Sequence, residues 1–138
     1  MNRLRIGDFI LFNKEHPCRI TAMQKSKPGK HGSAKCTLEG KNLLNDKKHT
    51  MTLRGHDTPH YIDVSRRTLY CSYFEDDYAY VMDDNDEEEP IVITKKELID
   101  QQSDYPDGCD VVLMDIKYEI NDEKISHTIV MELKNMSE

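Results

Sequence analysis

Cys18-Arg19-Ile20-Thr21-Ala22-Met23 and Ala34-Lys35-Cys36-Thr37-Leu38 stand on either side of Lys25-Ser26-Lys27-Pro28-Gly29-Lys30-His31-Gly32-Ser33. In both flanks apolar and polar residues alternate. Cys18, Ile20 and Ala22 therefore share one face of a strand, and Ala34, Cys36 and Leu38 share one face of another. The insert is dense in turn formers. Two period-two strands around a Pro/Gly-rich insert predict a β-hairpin with a long tip.

Working outward, Phe9–Phe12 is a short apolar strand, and His16-Pro17 is expected to turn the chain into the hairpin. Gly40, Asn45 and Asp46 mark further turns, with strands expected at 42–44 and 49–53. Short, closely spaced strands without a helical period predict a small barrel. Residues 55–64 read as a connection, and the domain boundary is placed near Val64–Ser65, giving domains 1–64 and 65–138. In the second half, strands are expected at 68–74, 78–82, 90–93, 111–120 and 125–133. An acidic loop, Asp83–Glu89, precedes the third of them. Thr94-Lys95-Lys96-Glu97 has the spacing of a capping box, so a short helix from Lys95 to about Gln102 should bury Leu98 and Ile99, and Pro106-Asp107-Gly108 should end it. Five strands with a helix between the third and fourth is the order of an OB barrel, an order that other α+β folds also share. The expected fold class is mostly β: two small barrels and one short helix.

Composition agrees with two modest cores. The 138 residues are 37% hydrophobic and 33% charged, too polar for one large core. No apolar run approaches the roughly 20 residues that span a bilayer, and the N-terminus has no apolar leader core. A soluble, cytoplasmic protein without membrane partners is expected. Cys18, Cys36, Cys71 and Cys109 form no close pair, so they read as reduced, mostly buried thiols and not as a zinc site.

The net charge of −7 is unevenly spread. Residues 1–66 hold 13 Lys and Arg against 6 Asp and Glu, whereas residues 67–138 hold 6 against 20. No acidic residue occurs from His16 to Leu38, where Arg19, Lys25, Lys27, Lys30 and Lys35 lie. Such a segment attracts polyanions, nucleic acid first among them. The competing reading is a merely solvated basic hairpin.

Catalytic and metal chemistry find little support. Gly29-Lys30 is followed by His31, so a phosphate-binding P-loop is absent. His56 and His60 stand four apart, but Thr58-Pro59 between them opposes the helix that a metal pair would need. No catalytic residue, no metal and no enzymatic activity are expected. Tyr70, Tyr73, Tyr78 and Tyr80 could stack bases, yet they belong to the acidic half and are expected on the barrel surface or in its core. What remains is Lys30, which Gly29 and Gly32 leave exposed with little bulk beside it.

Here the sequence resembles a known family. Lys25-Ser26-Lys27-Pro28-Gly29-Lys30-His31-Gly32-Ser33-Ala34-Lys35 resembles the hypusination loop of the translation initiation factor 5A family. Gly7-Asp8-Phe9-Ile10 and His16-Pro17-Cys18-Arg19-Ile20 resemble that family's opening strands. Ser33 stands where many eukaryotic members carry another residue. The resemblance extends along the chain, more in layout than in residues in the second half.

The resemblance implies a basic SH3-like barrel followed by an acidic OB-fold domain, and similarity to bacterial elongation factor P. It implies that deoxyhypusine synthase and then a hydroxylase convert Lys30 to hypusine, with spermidine as the source and no other cofactor. It further implies binding to the ribosome beside the P-site tRNA, as a monomer or weak dimer, and promotion of peptide-bond formation at stalled sites such as proline runs. Lys25, Ser26, Lys27, Gly29, His31, Gly32, Ser33 and Lys35 would shape the loop or contact tRNA. Two alternatives stand beside this reading. One is a general RNA-binding module using the basic hairpin 25–35. The other is a protein that docks basic partners on acidic residues 75–89 and 97–110.

Overall fold

The computed structural model describes residues 4–26 and 34–136. The chain divides into two compact units, Met1–Asp63 with Tyr118–Lys124, and Val64–Lys117 with Ile125–Glu138. Along the chain the first break falls within a strand, Asp63–Glu75, and not in a loop. Among the described residues no helix is long and apolar enough to cross a membrane.

The first unit is a curled antiparallel sheet in the order β1 (Phe9–Phe12), β2 (His16–Ser26), β3 (Lys35–Asn42) and β4 (Lys48–Arg54). The turn before β2 is made by Asn13-Lys14-Glu15. Asn13 and Lys14 both lie at positive φ, a conformation suited to tight hairpin turns, and the Asn13 amide donates to the Thr50 carbonyl at 3.2 Å. His16-Pro17 is therefore not a turn. Pro17 sits in β2 opposite Leu11 and is fully buried.

The hairpin read from the sequence is present, but its inner face changes phase. A bulge between Ile20 and Ala22 inserts one residue, so Cys18 and Ile20 are buried and Met23, not Ala22, continues the apolar row. Cys36 and Leu38 of β3 complete this layer against Leu53 and Met51 of β4. Ala34 lies just outside β3 and is exposed. Residues 42–44 are not a strand. Asn42 ends β3, buried, and its Oδ1 accepts from the Leu44 amide at 2.8 Å, making the turn itself.

Gly40 is not a turn residue either. It lies inside β3, where a Cβ would fall 2.5 Å from Cζ of Phe12, so the Phe12 ring packs on bare backbone. Residues 60–62 run along β1: Leu11 donates to the His60 carbonyl at 2.8 Å, and Ile62 donates to Phe9 at 3.3 Å. These contacts close the unit into an SH3-like barrel.

The second unit is an OB-type sheet in the order β7-β6-β5-β8-β9. Its strands are β5 (Asp63–Glu75), β6 (Tyr78–Met82), β7 (Glu88–Val92), β8 (Cys109–Ile120) and β9 (Glu123–Lys134). Asn121 and Asp122, both at positive φ, form the two-residue turn between β8 and β9. The acidic loop is shorter than expected, because β7 begins at Glu88. Asp83 organises the remainder, its Oδ1 accepting from the Asn85 and Glu87 amides at 2.8 and 2.9 Å.

Helix α1 runs Lys96–Gln101 and continues as a 3₁₀ turn, Gln102–Asp104. The capping box does not form. Lys95 is the N-cap and no side chain caps the helix, so it starts one residue later than expected. Packing holds it instead: Leu98 is buried and Ile99 lies against the core of Cys71, Val81, Ile93, Val111 and Leu133. Three strands are also tied by polar contacts. Arg67 Nε donates to Asp115 Oδ2 at 2.8 Å and Thr128 Oγ1 donates to Asp115 Oδ1 at 2.7 Å.

Two predictions follow from this packing. Gly40→Ala should push Phe12 out of place and cost about 1–3 kcal/mol, read as a lower urea midpoint with an unchanged slope. All four cysteines are free and buried, and burial pushes the Cys18 thiol from 9.0 up to about 12 and, with the Cys71 sulfur beside it, Cys109 to about 11. A thiol held neutral in the folded state favours folding fully below pH 9.0, and that favour is lost as the pH climbs toward about 12. Chemical denaturation at stepped pH should therefore show the wild type losing up to about 1.4 kcal/mol per pH unit more than Cys18→Val in that window, with matching slopes below it.

Candidate nucleic-acid interface

The register of β2 and β3 positions the site. Lys25 pairs with Cys36 and Ser26 with Lys35 as the last rungs before the loop. Antiparallel partners point to the same side. Lys25 thus lies on the row of Met23 and Cys36, whereas Ser26 and Lys35 lie on the opposite, solvent face, and all three are exposed. The sequence-predicted site residues Lys27, Gly29, Lys30, His31, Gly32 and Ser33 lie outside the described residues. Ser26 and Lys35, which flank residues 27–34 in the chain, face each other across the sheet.

The sheet adds cations that the sequence reading did not assign to the site. Lys35 pairs with Arg54 of β4, and Lys41 pairs with both Arg19 and Lys48. Arg19, Lys35, Lys41, Lys48 and Arg54 are all exposed on one solvent face. Among the described residues two of the five form ion pairs: Lys48 Nζ is 3.3 Å from Glu39, and Lys41 Nζ is 3.8 Å from Asp46. Exposed pairs of this kind bind weakly and are screened by salt, so the face stays electropositive. A periodic signal existed for Arg54, two positions beyond Thr52 on the outward row. Register alone shows that it neighbours Lys35.

The other candidates separate from this face. His56 follows β4 in a turn, and His60 lies in the segment along β1. Among the described residues no three potential metal ligands gather. Tyr70, Tyr73 and Tyr78 are exposed on the second unit, and Tyr80 is half-buried there, stacked on Tyr73. The arrangement on the first unit is thus a cationic sheet face ending at the root of a glycine-rich loop. It can neutralise phosphates and hold a backbone in place.

Comparison with known proteins bears on the family and the fold. Residues 1–55 match the family described as translation initiation factor 5A-like, N-terminal. The eukaryotic translation initiation factor 5A of Spodoptera frugiperda is 34% identical over 120 residues, covering 83% of this chain and 72% of that protein. The translation initiation factor 5A of Haloquadratum walsbyi is 36% identical over 52 residues, and that match spans only 41% of its length. The solved eukaryotic translation initiation factor 5A from Methanococcus jannaschii superimposes over 96% of this chain and 90% of its own, with a TM-score of 0.70 at 20% identity, and so shares the fold. The chain belongs to the translation initiation factor 5A family.

Proposed function

We propose that this protein is a cytoplasmic translation factor that binds the ribosome next to the P-site tRNA and promotes peptide-bond formation at stalled sites, proline runs among them, through a hypusine on Lys30. One observation carries the reading: Pro28-Gly29-Lys30-His31-Gly32 is strung between Ser26 and Lys35, cross-strand partners at the end of a cationic sheet. In this reading residues 1–64 are the working domain. Deoxyhypusine synthase adds the aminobutyl group of spermidine to the Lys30 amine and a hydroxylase completes it, with no other cofactor. The lengthened arm carries two amines separated by a thin chain, which suits backbone oxygens in a narrow cleft.

The factor then acts by holding the acceptor end of tRNA in a reactive geometry, an orientational effect. It donates no acid, base or nucleophile, and it is not an enzyme. Gly29 and Gly32 keep the tip slender and His31 shapes it. Lys25, Lys27 and Lys35 contact phosphates, with Ser26 and Ser33 at the loop's shoulders.

A second reading is favoured by the sheet face itself. Arg19, Lys35, Lys41, Lys48 and Arg54 could bind structured RNA as a general module without any modified residue. Substitution separates the two. Under the proposed function, cells carrying only Lys30→Arg lose translation of a polyproline reporter although the charge is kept. Native protein from the same host carries the mass of one aminobutyl group plus one oxygen on the peptide containing Lys30. Under the second reading Lys30→Arg is silent, and Lys25→Ala, Lys35→Ala and Arg54→Ala each lower the salt slope of RNA binding by about 0.7–0.9.

A further inference from the structure

We propose that the solvent face of β5, β6 and β7 is a docking surface for an arginine-rich polypeptide segment. The inner face of these strands is occupied, with Cys71, Ala79, Val81 and Ile91 buried in the core. On the outer face the register lines up Tyr73, Tyr80 and Pro90 in one row and Glu75, Tyr78 and Val92 in the next. Tyr73 and Tyr80 stack with centroids 4.5 Å apart and planes 8° from parallel. Tyr73, Tyr78 and Val92 remain 44%, 42% and 39% exposed, an apolar cluster open to solvent among the described residues.

Carboxylates frame this cluster. Glu75 lies opposite Tyr78 across the hairpin, and Glu88 accepts from the Ser72 hydroxyl at 3.1 Å. From Thr68 to Thr94 there are nine Asp and Glu and no Lys, Arg or His. Among the described residues no ion pair reaches Glu75 or Glu88. A groove of about 440 Å³ opens beside Tyr73, lined also by Phe74, Ile99, Asp100, Tyr105 and Pro106.

The chemistry selects the occupant. Stacked tyrosines offer π-faces to a base or to a guanidinium, and the surrounding carboxylates repel a phosphate backbone. A guanidinium satisfies both features, stacking on the ring while its fork of N–H donors meets a carboxylate. An ammonium gains only the charge. The strand edge is closed to main-chain pairing of the usual kind, because Pro90 interrupts the donors of the outermost strand. The partner therefore docks by side chains across the face and not as an added strand. This surface belongs to the second unit, and its role does not depend on Lys30.

Fluorescence anisotropy with labelled nona-arginine, nona-lysine and nona-uridine RNA, titrated with the full chain, tests the proposal. Nona-arginine should bind at least about fivefold more tightly than nona-lysine. Tyr73→Leu with Tyr80→Leu should weaken nona-arginine about tenfold and nearly abolish the preference over lysine. Glu75→Gln with Glu88→Gln, which leaves the ring stack in place, should also weaken it. Glu119→Gln with Glu123→Gln, removing equal charge on β8 and β9, should change it less than about twofold. Equal binding of the two peptides, an equal loss in the β8–β9 control, or RNA binding that falls with the tyrosine substitutions would overturn the proposal.

Discussion

The contact between the Phe12 ring and the bare backbone of Gly40 is the constraint on which the first unit depends. β1 and β3 are not neighbours in the sheet, with β2 between them. For a side chain of β1 to lie on the backbone of β3, the sheet must curl, and any side chain at position 40 would stand in the ring's place. The curl gathers Ile10, Cys18, Ile20, Cys36, Leu38 and Leu53 into one apolar layer. It also leaves the outward row of β2, β3 and β4 to solvent, and that row is where the cations are. Core and interface are thus two sides of one sheet, made by the same alternation.

The bulge between Ile20 and Ala22 completes this division. Without the inserted residue, the phase set by Cys18 and Ile20 would carry Ala22 and Gln24 inward and turn Met23 to solvent. With it, Met23 enters the core and Gln24 and Ser26 face outward. The last rung, Ser26 opposite Lys35, falls on the cationic face, and in the sequence these two residues flank the glycine-rich segment. The second unit reverses the sign with the same device. Its inner rows are apolar, and its outer face carries tyrosines and carboxylates in place of lysines. The two halves therefore present opposite charge on similar scaffolds.

The barrels were legible because short alternating runs bounded by turn formers admit few other structures, and the order of strands and helix in the second half followed from the same signals. The misreadings have local causes. Gly40 and His16-Pro17 look like turns, since glycine and proline usually punctuate a chain. Both instead sit in strands, one to admit a ring and the other buried opposite Leu11. Thr94-Lys95-Lys96-Glu97 has the letters of a capping box, yet α1 is held by Leu98 and Ile99 against the core and needs no side-chain cap.

By itself the sequence determined the strand pattern, the split of charge between the halves and the glycine-framed lysine, because each is a property of residues near one another along the chain. Only the tertiary structure decided which cations share a face. Arg19, Lys35, Lys41, Lys48 and Arg54 come from three strands, and pairing register places them together. It likewise decided that Tyr73 stacks on Tyr80, across a hairpin whose own bulge shifts the count by one. A one-residue change in register moves every side chain to the opposite face, and the bulges at Ile20/Ala22 and Cys71/Tyr73 make such a change where simple alternation along the chain does not mark it.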